Sequence, residues 1–308
     1  MMKRYFFIIN TNNSKAVRAF NRLKKDLDKE EISYRTFYTE HKGHAVEIAK
    51  KIIYINKDSI KAIIAVGGDG TIHEVFNGIK DHPEIPLGFI SGGSGNDIVR
   101  VLAKKIKGSK SQIAYLKRNR LIKSDAGLIH MIGRSMKDQV FLSAIGIGLD
   151  GEVARYTNEA RYKKVLHRMR LGTFAYVITL FKVLKSFKPA SVELEIDGQV
   201  HTFDTVWLVA VGNMPYYGGG MKICPEARYN DGRLDVCVVH NISLTKLLML
   251  FISVFWGGHV KVQGVSQFTC RNITVNTNRP VAIHADGEYK GTTPVSIEIN
   301  PLSVPIKV

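Results

Sequence analysis

Lys61-Ala62-Ile63-Ile64-Ala65-Val66-Gly67-Gly68-Asp69-Gly70-Thr71 decides the fold. Its first six residues form a continuous apolar run, as expected of a strand buried on both faces of a parallel sheet. The glycines then let the backbone turn sharply and leave room for a phosphate to approach the N–H groups. A helix from Thr71 to about Lys80 follows, and its N-terminus favours an anion at that point. Asp69 is expected to bind a metal–phosphate unit or a ligand hydroxyl, or else to cap the helix.

Outward from this stretch, strands and helices alternate. Arg4–Asn10 reads as a strand and Lys15–Glu30 as a helix. Ile32–Thr39 reads as a strand. Gly43–Ile55 reads as a helix with Ala45, Ile48, Ala49, Ile52 and Ile53 on one face. Pro86–Ile90 is a fourth strand, and a further helix begins at Asn96. This order predicts an open α/β sheet. A second glycine-rich loop, Ser91-Gly92-Gly93-Ser94-Gly95-Asn96-Asp97, follows the fourth strand. Two such loops after successive strands can face one crevice, although Asn96 or Asp97 can equally cap the next helix.

The pattern changes near Asp125. Beyond it strands dominate: Val140–Ile145, Ser191–Ile196, Thr205–Val211, Leu234–Val239, Asn272–Asn276, Val281–His284 and Val295–Ile299. Asp197-Gly198, Asp231-Gly232 and Asp286-Gly287 supply turns. Helices are expected around Val165–Lys185 and Leu244–Trp256. The expected domains are therefore 1–124, α/β and nucleotide-binding, and 125–308, mostly β, with the last strand free to return to the first domain.

Gly146-Ile147-Gly148-Leu149-Asp150-Gly151 matches GxGxxG, but no acidic residue follows about 20 positions on to hold a ribose. A GxxxxGK[ST] loop is absent. Asp286 and Glu288 flank a glycine and can share general-base and positioning work; Asp-Gly between strands is also a strong hairpin signal. Asn230-Asp231-Gly232-Arg233 is either an oxygen-ligand site for a divalent cation or a plain turn.

With 44 Lys and Arg against 27 Asp and Glu, the formal net charge is +17, which favours anionic partners. Arg155, Arg161, Lys163, Lys164, His167, Arg168 and Arg170 precede an apolar stretch, Leu171–Leu184, a combination that suits an anionic membrane surface or only a solvated face. The most apolar later stretch, Leu247–Trp256, is short of the roughly 20 residues a bilayer span requires. Cys224, Cys237 and Cys270 have no CxxC spacing and read as core thiols of a protein in a reducing compartment.

Together the motifs GGDGTIHEV, GSGNDIVR, AIGIGLDGEV, GGGMKICPEARYNDGRLDV and HADGE resemble those of the soluble diacylglycerol kinase and sphingosine kinase family, in family order and over nearly the whole chain. The resemblance implies an NAD-kinase-like α/β domain and a C-terminal β-sandwich, with ATP in the cleft between them. It implies nucleotide contacts from Asn10, Thr11, Asn12, Asn13, Ser14, Thr39, Gly67, Gly68, Asp69, Gly70, Thr71, Ile72, His73, Glu74, Ser94 and Asn96. The Asn10–Ser14 loop lacks the family's proline and glycine. Asp286 and Glu288 match the essential acids, one of them the base. Asp231, with the carbonyls of Arg228 and Arg233, matches a structural Mg²⁺ site, and Asp69, Asp97 and Asp125 match a catalytic Mg²⁺ network. The activity implied is transfer of the γ-phosphoryl group of ATP to a lipid hydroxyl, diacylglycerol first among candidates, in phospholipid biosynthesis. The enzyme would be cytoplasmic and peripheral to the inner face of the membrane. A homodimer through the second domain is compatible with this, and nucleic acid is not an expected partner. The rival readings are an NAD kinase-like phosphotransferase and a non-catalytic nucleotide- or nucleic-acid-binding module.

Overall fold

The computed structural model describes residues 3–92, 97–106, 111–133, 138–159, 180 and 182–308. They form two compact units, 1–126 with 301–308, and 127–300.

In the first unit, β1 (Arg4–Asn10), β2 (Tyr34–Thr39), β3 (Ile60–Gly67) and β4 (Leu87–Ser91) pair in parallel, in the order β2-β1-β3-β4. The chain end returns here, with Ile306 paired to Leu87. The helices are α1 (Ser14–Lys29), α2 (His44–Asn56), α3 (Asp69–Ile79), α4 (Asp97–Ile106) and α5 (Gln112–Lys117). Helix α1 starts where Asn13 Oδ1 accepts the N–H groups of Lys15 and Ala16, satisfying two donors that have no partner inside the helix. It buries Ala16, Phe20, Leu23 and Leu27, one stripe at helical spacing, against Tyr5, Phe7, Ile64 and Val66 of the sheet. Strand β3 is buried along nearly its whole length, as its unbroken apolar run requires.

The second unit is mostly antiparallel. Its elements are β6 (Gln139–Phe141), β7 (Ala144–Gly148), α6 (Leu149–Glu159), β8 (Ala190–Ile196), β9 (Gln199–Gly212), β10 (Leu234–His240), α7 (Leu244–Ser253), β11 (Val265–Cys270), β12 (Asn272–Thr277), β13 (Ala282–Ala285) and β14 (Glu288–Thr292). Strand β5 (Leu121–Met131) precedes them and β15 (Val295–Lys307) ends the chain. Central β9 pairs with β7, β8 and β10, and β13 pairs with β7 and β14. The strand period of two divides the core. Val209, Val211, Val236 and Val238 face one apolar cluster, while Ala210, Cys237 and Val239 face another, covered by α7 through Leu247 and Leu250.

The architecture is the expected α/β plus β class. Strands β5, β11 and β14 are not among those expected, the expected strand Val140–Ile145 is two strands, β6 and β7, and β15 runs well past Ile299. The expected helix at Leu244–Trp256 changes to a 3₁₀ turn at Val254–Trp256 and stops at Gly257, whose φ of 80° is left-handed. Most of the expected helix at Val165–Lys185 lies outside the described residues. Asp197-Gly198 and Asp286-Gly287 both form two-residue hairpins with positive φ at each position. All three cysteines are buried, and burial pushes the thiols of Cys237 and Cys270 up to about 12. Among the described residues no helix is long and apolar enough to cross a membrane.

Candidate active site

In the first unit the glycine loops meet at the carboxyl ends of β3 and β4, where the N–H of Gly92 donates to the carbonyl of Gly67 at 2.8 Å. The glycines have different reasons to be glycine. A Cβ on Gly67 would lie 2.4 Å from Thr71 Oγ1, and one on Gly92 would lie within 2.7 Å of the Ala16 backbone nitrogen. Gly70 has no positive φ, and a Cβ there would meet nothing within 4 Å. The chain itself does not demand glycine at that position, in the first turn of α3, where helix N–H groups point outward.

Asp69 does not cap its own helix. Its carboxylate accepts the N–H of Asp97 at 2.8 Å and of Ile98 at 3.3 Å, so it caps α4 and ties the two loops together. Glu74 does the same for α2, accepting from Gly43 at 3.0 Å and Ala45 at 3.2 Å. Asn10 donates to Thr71 Oγ1 at 3.0 Å, and the Thr11 hydroxyl donates to the carbonyl of buried Thr39. Asn12 folds its N–H onto Asn10 Oδ1, and Ser14 opens α1. Ile72 and His73 turn their side chains into the interior. Asp97 and Asp125 are buried carboxylates. Ser94 and Asn96 lie outside the described residues, as does the basic run from Arg161 to Arg170. Arg155 is described, and its guanidinium is held by Glu152 at 2.6 Å.

In the second unit, Asp286 sits at the β13–β14 turn with φ 49°. Its carboxylate accepts three backbone N–H groups, from Leu142 (2.9 Å), Ser143 (2.9 Å) and Ala144 (3.2 Å), and its own N–H donates to Ala144. The 142–144 loop is fixed in turn by buried Asn213, which donates through Nδ2 to Leu142 O at 2.7 Å and through its N–H to Ser143 O at 2.8 Å. Glu288, two residues on and partly exposed, has Lys290 Nζ 3.7 Å away. His284 accepts the Gly287 N–H on Nδ1 at 3.3 Å, and its Nε2 lies 3.4 Å from Asp150, which also accepts from the Tyr217 hydroxyl at 2.9 Å. Sequence reasoning missed Asn213, Asp150 and Tyr217. Gly146 explains the GxGxxG match: a Cβ there would lie 1.9 Å from the Asp150 carboxylate and 2.3 Å from His284. Gly151 is pressed against the carbonyl of Ala282 in the same way. These glycines serve packing.

Asp231 Oδ1 accepts the Arg233 N–H at 3.1 Å, closing the turn of the candidate cation site. Burial, then the charges of Asp231 and Glu226, push the nearby Asp235 carboxyl up to about 6. The donors available at Asp231 and at the Arg228 and Arg233 carbonyls are all oxygen, and Asp231, Glu226 and Asp235 lie close together, opposed in part by Arg228, a donor set that fits a hard divalent cation. The second unit also holds an apolar pocket lined by Leu149, Leu208, Val239, Leu247, Phe251 and His259.

Residues 4–129 match the diacylglycerol kinase catalytic domain, and residues 143–308 match the YegS C-terminal NAD kinase beta sandwich-like domain. The chain is 33% identical over 308 residues to "Putative lipid kinase YtlR" of Bacillus subtilis (strain 168), covering 99% of this chain and 100% of that one. It is 30% identical over 246 residues to a diacylglycerol kinase of Mycobacterium tuberculosis, covering 80% and 76% of the two chains. A crystal structure of a "putative diacylglycerol kinase" from Bacillus anthracis str. Sterne superposes with a TM-score of 0.71 at 23% identity, covering 99% and 97%. The chain belongs to the diacylglycerol kinase-like lipid kinase family.

Proposed function

We propose that this protein transfers the γ-phosphoryl group of ATP to a lipid hydroxyl, with diacylglycerol as acceptor and phosphatidic acid as product. The observation that carries the reading is that Asp286 is braced by three backbone N–H groups while Glu288, two residues on, is partly exposed. Asp286 is locked by three backbone donors, so it positions the turn. Glu288, partly exposed beside Lys290, is assigned to take the proton of the lipid hydroxyl. Phosphoryl transfer needs mainly positioning and charge neutralisation. The open space at Gly70 gives a phosphate access to the N–H groups opening α3. Mg²⁺, when bound, neutralises and bridges the phosphates; Asp69, Asp97 and Asp125 would hold the catalytic ion, and Asp231 with the carbonyls of Arg228 and Arg233 a structural one. The apolar pocket beside Leu149 takes hydrocarbon of the acceptor. The enzyme works in the cytoplasm at the inner face of the membrane, where its acceptor lies.

The test is transfer of labelled γ-phosphate from Mg·ATP to a lipid panel in mixed micelles, with Glu288→Gln beside the wild type. Labelled phosphatidic acid, lost in the variant, is expected. Label on a sphingoid base, a polyprenol or phosphatidylglycerol keeps the chemistry and changes the acceptor. Phosphorylated NAD with no labelled lipid overturns the reading.

A further inference from the structure

Helix α7 has two apolar faces. Leu247, Leu250 and Val254 point inward and line the apolar pocket. Met249 (66% exposed) and Ile252 (62%) point outward, and Phe255 and Trp256 (65%) continue that face through the 3₁₀ turn. A surface helix needs one apolar stripe to join its own core; a second, solvent-facing one marks a contact surface. Charge indicates what it contacts. From Asn241 through Ala285 the chain has no Asp or Glu, while it has Lys246, Lys261, Arg271 and Arg279. Lys222 adjoins the turn, its N–H donating to the carbonyl of Val254 at 3.0 Å. A protruding Trp among aliphatic side chains, in an acid-free stretch of sequence and with Lys222, Lys246 and Lys261 on or beside its elements, matches the chemistry of the head-group boundary of an anionic bilayer.

We propose that α7 and the turn after it dock on an anionic phospholipid surface. Met249, Ile252, Phe255 and Trp256 enter the acyl boundary, and Lys222, Lys246 and Lys261 meet the head groups. The element that lines the apolar pocket is thereby held at the surface that supplies its lipid. Only that purpose rests on the lipid kinase reading; the docking is measured without ATP.

The two tryptophans provide the test, because Trp207 is buried and Trp256 is exposed. Vesicles of phosphatidylcholine with phosphatidylglycerol should shift the emission of the full chain to the blue, and brominated acyl chains should quench it. The shift should vanish in Trp256→Phe and should be small with phosphatidylcholine alone. Ile252→Asp, checked for fold by circular dichroism, should weaken vesicle binding by about tenfold or more, as expected for a large apolar side chain withdrawn from hydrocarbon. Its turnover of a dispersed short-chain acceptor should be unchanged. Absence of a shift with anionic vesicles overturns the proposal. So does a lipid-free dimer, seen by light scattering, that Ile252→Asp dissociates, since the face would then belong to a second copy. Vesicle binding without any kinase activity would leave the docking intact and sink the catalytic reading.

Discussion

The glycine loops of the first unit and the acid hairpin of the second are built by opposite means. In the first, backbone does the work within short stretches. Each loop follows its own parallel strand, and they are joined by Gly92 N to Gly67 O and by the Asp69 carboxylate on the N–H groups of Asp97 and Ile98. In the second, a single carboxylate is held by residues far away in the sequence. Leu142, Ser143 and Ala144 cradle Asp286, Asn213 braces the cradle, and Tyr217 and Asp150 reach the turn through His284. Parallel strands return their chain ends to one edge, so the residues of each glycine loop are consecutive. Antiparallel strands bring side chains together from across the unit, so the support is scattered.

The largest effect should fall on the hairpin. Glu288→Gln is expected to lower kcat by roughly 10²–10⁴, the usual contribution of a positioned acid–base group, with an unchanged melting temperature. Asp286→Asn should behave differently. Its amide turns a donor toward backbone donors, so about 1–3 kcal/mol of stability should be lost together with activity. Chemical denaturation beside steady-state kinetics separates the two. Equal stability loss in both variants would break the assignment of Asp286 as the braced acid and Glu288 as the working one.

The glycines offer the matching test in the first unit. Gly92→Ala forces a Cβ into the backbone of Ala16 and should cost about 1–3 kcal/mol. Gly70→Ala meets open space and should be neutral or stabilising by up to about 1 kcal/mol. Only the second should weaken nucleotide binding while the protein stays folded, as read by calorimetric titration. If Gly70→Ala binds ATP like the wild type, the loop is a plain turn.

This contrast governs what sequence could tell. The β3 run and its glycines were legible because burial on both faces and the need for sharp turns leave local marks. Asp286 and Glu288 were visible as a turn with two acids, but the bracing of Asp286 was not, since it depends on the N–H groups of Leu142, Ser143 and Ala144. The GxGxxG segment misleads for the same reason: Gly146 is glycine because His284, from a distant strand, lies beside it. Asp69 was expected at a phosphate or on its own helix, and the helix it caps begins 28 residues later. The two faces of α7 were also hidden, because an unbroken apolar run gives no period to read.

The smallest effect separates the regions by pH. His259 is buried under the apolar pocket, donates from Nε2 to the carbonyl of Ile223 at 2.9 Å, and burial lowers its pKa below the ordinary 6.5. Because the folded value is depressed, the unfolded chain binds more protons as pH falls below 6.5. The associated stability is complete above that pH and drains away as pH falls toward the folded value, at no more than about 1.4 kcal/mol per unit. Hydrogen exchange at about pH 7 and about pH 5.5 should therefore show α7 and its neighbours opening more at the acid pH, across the range where a neutral histidine takes up its proton. His259→Gln should flatten that dependence around α7 and leave the exchange of the glycine loops as it was. A flattening that reached the loops of the first unit would mean that the two regions open as one, and the contrast between a local site and a scattered one would then hold for their construction but not for their stability.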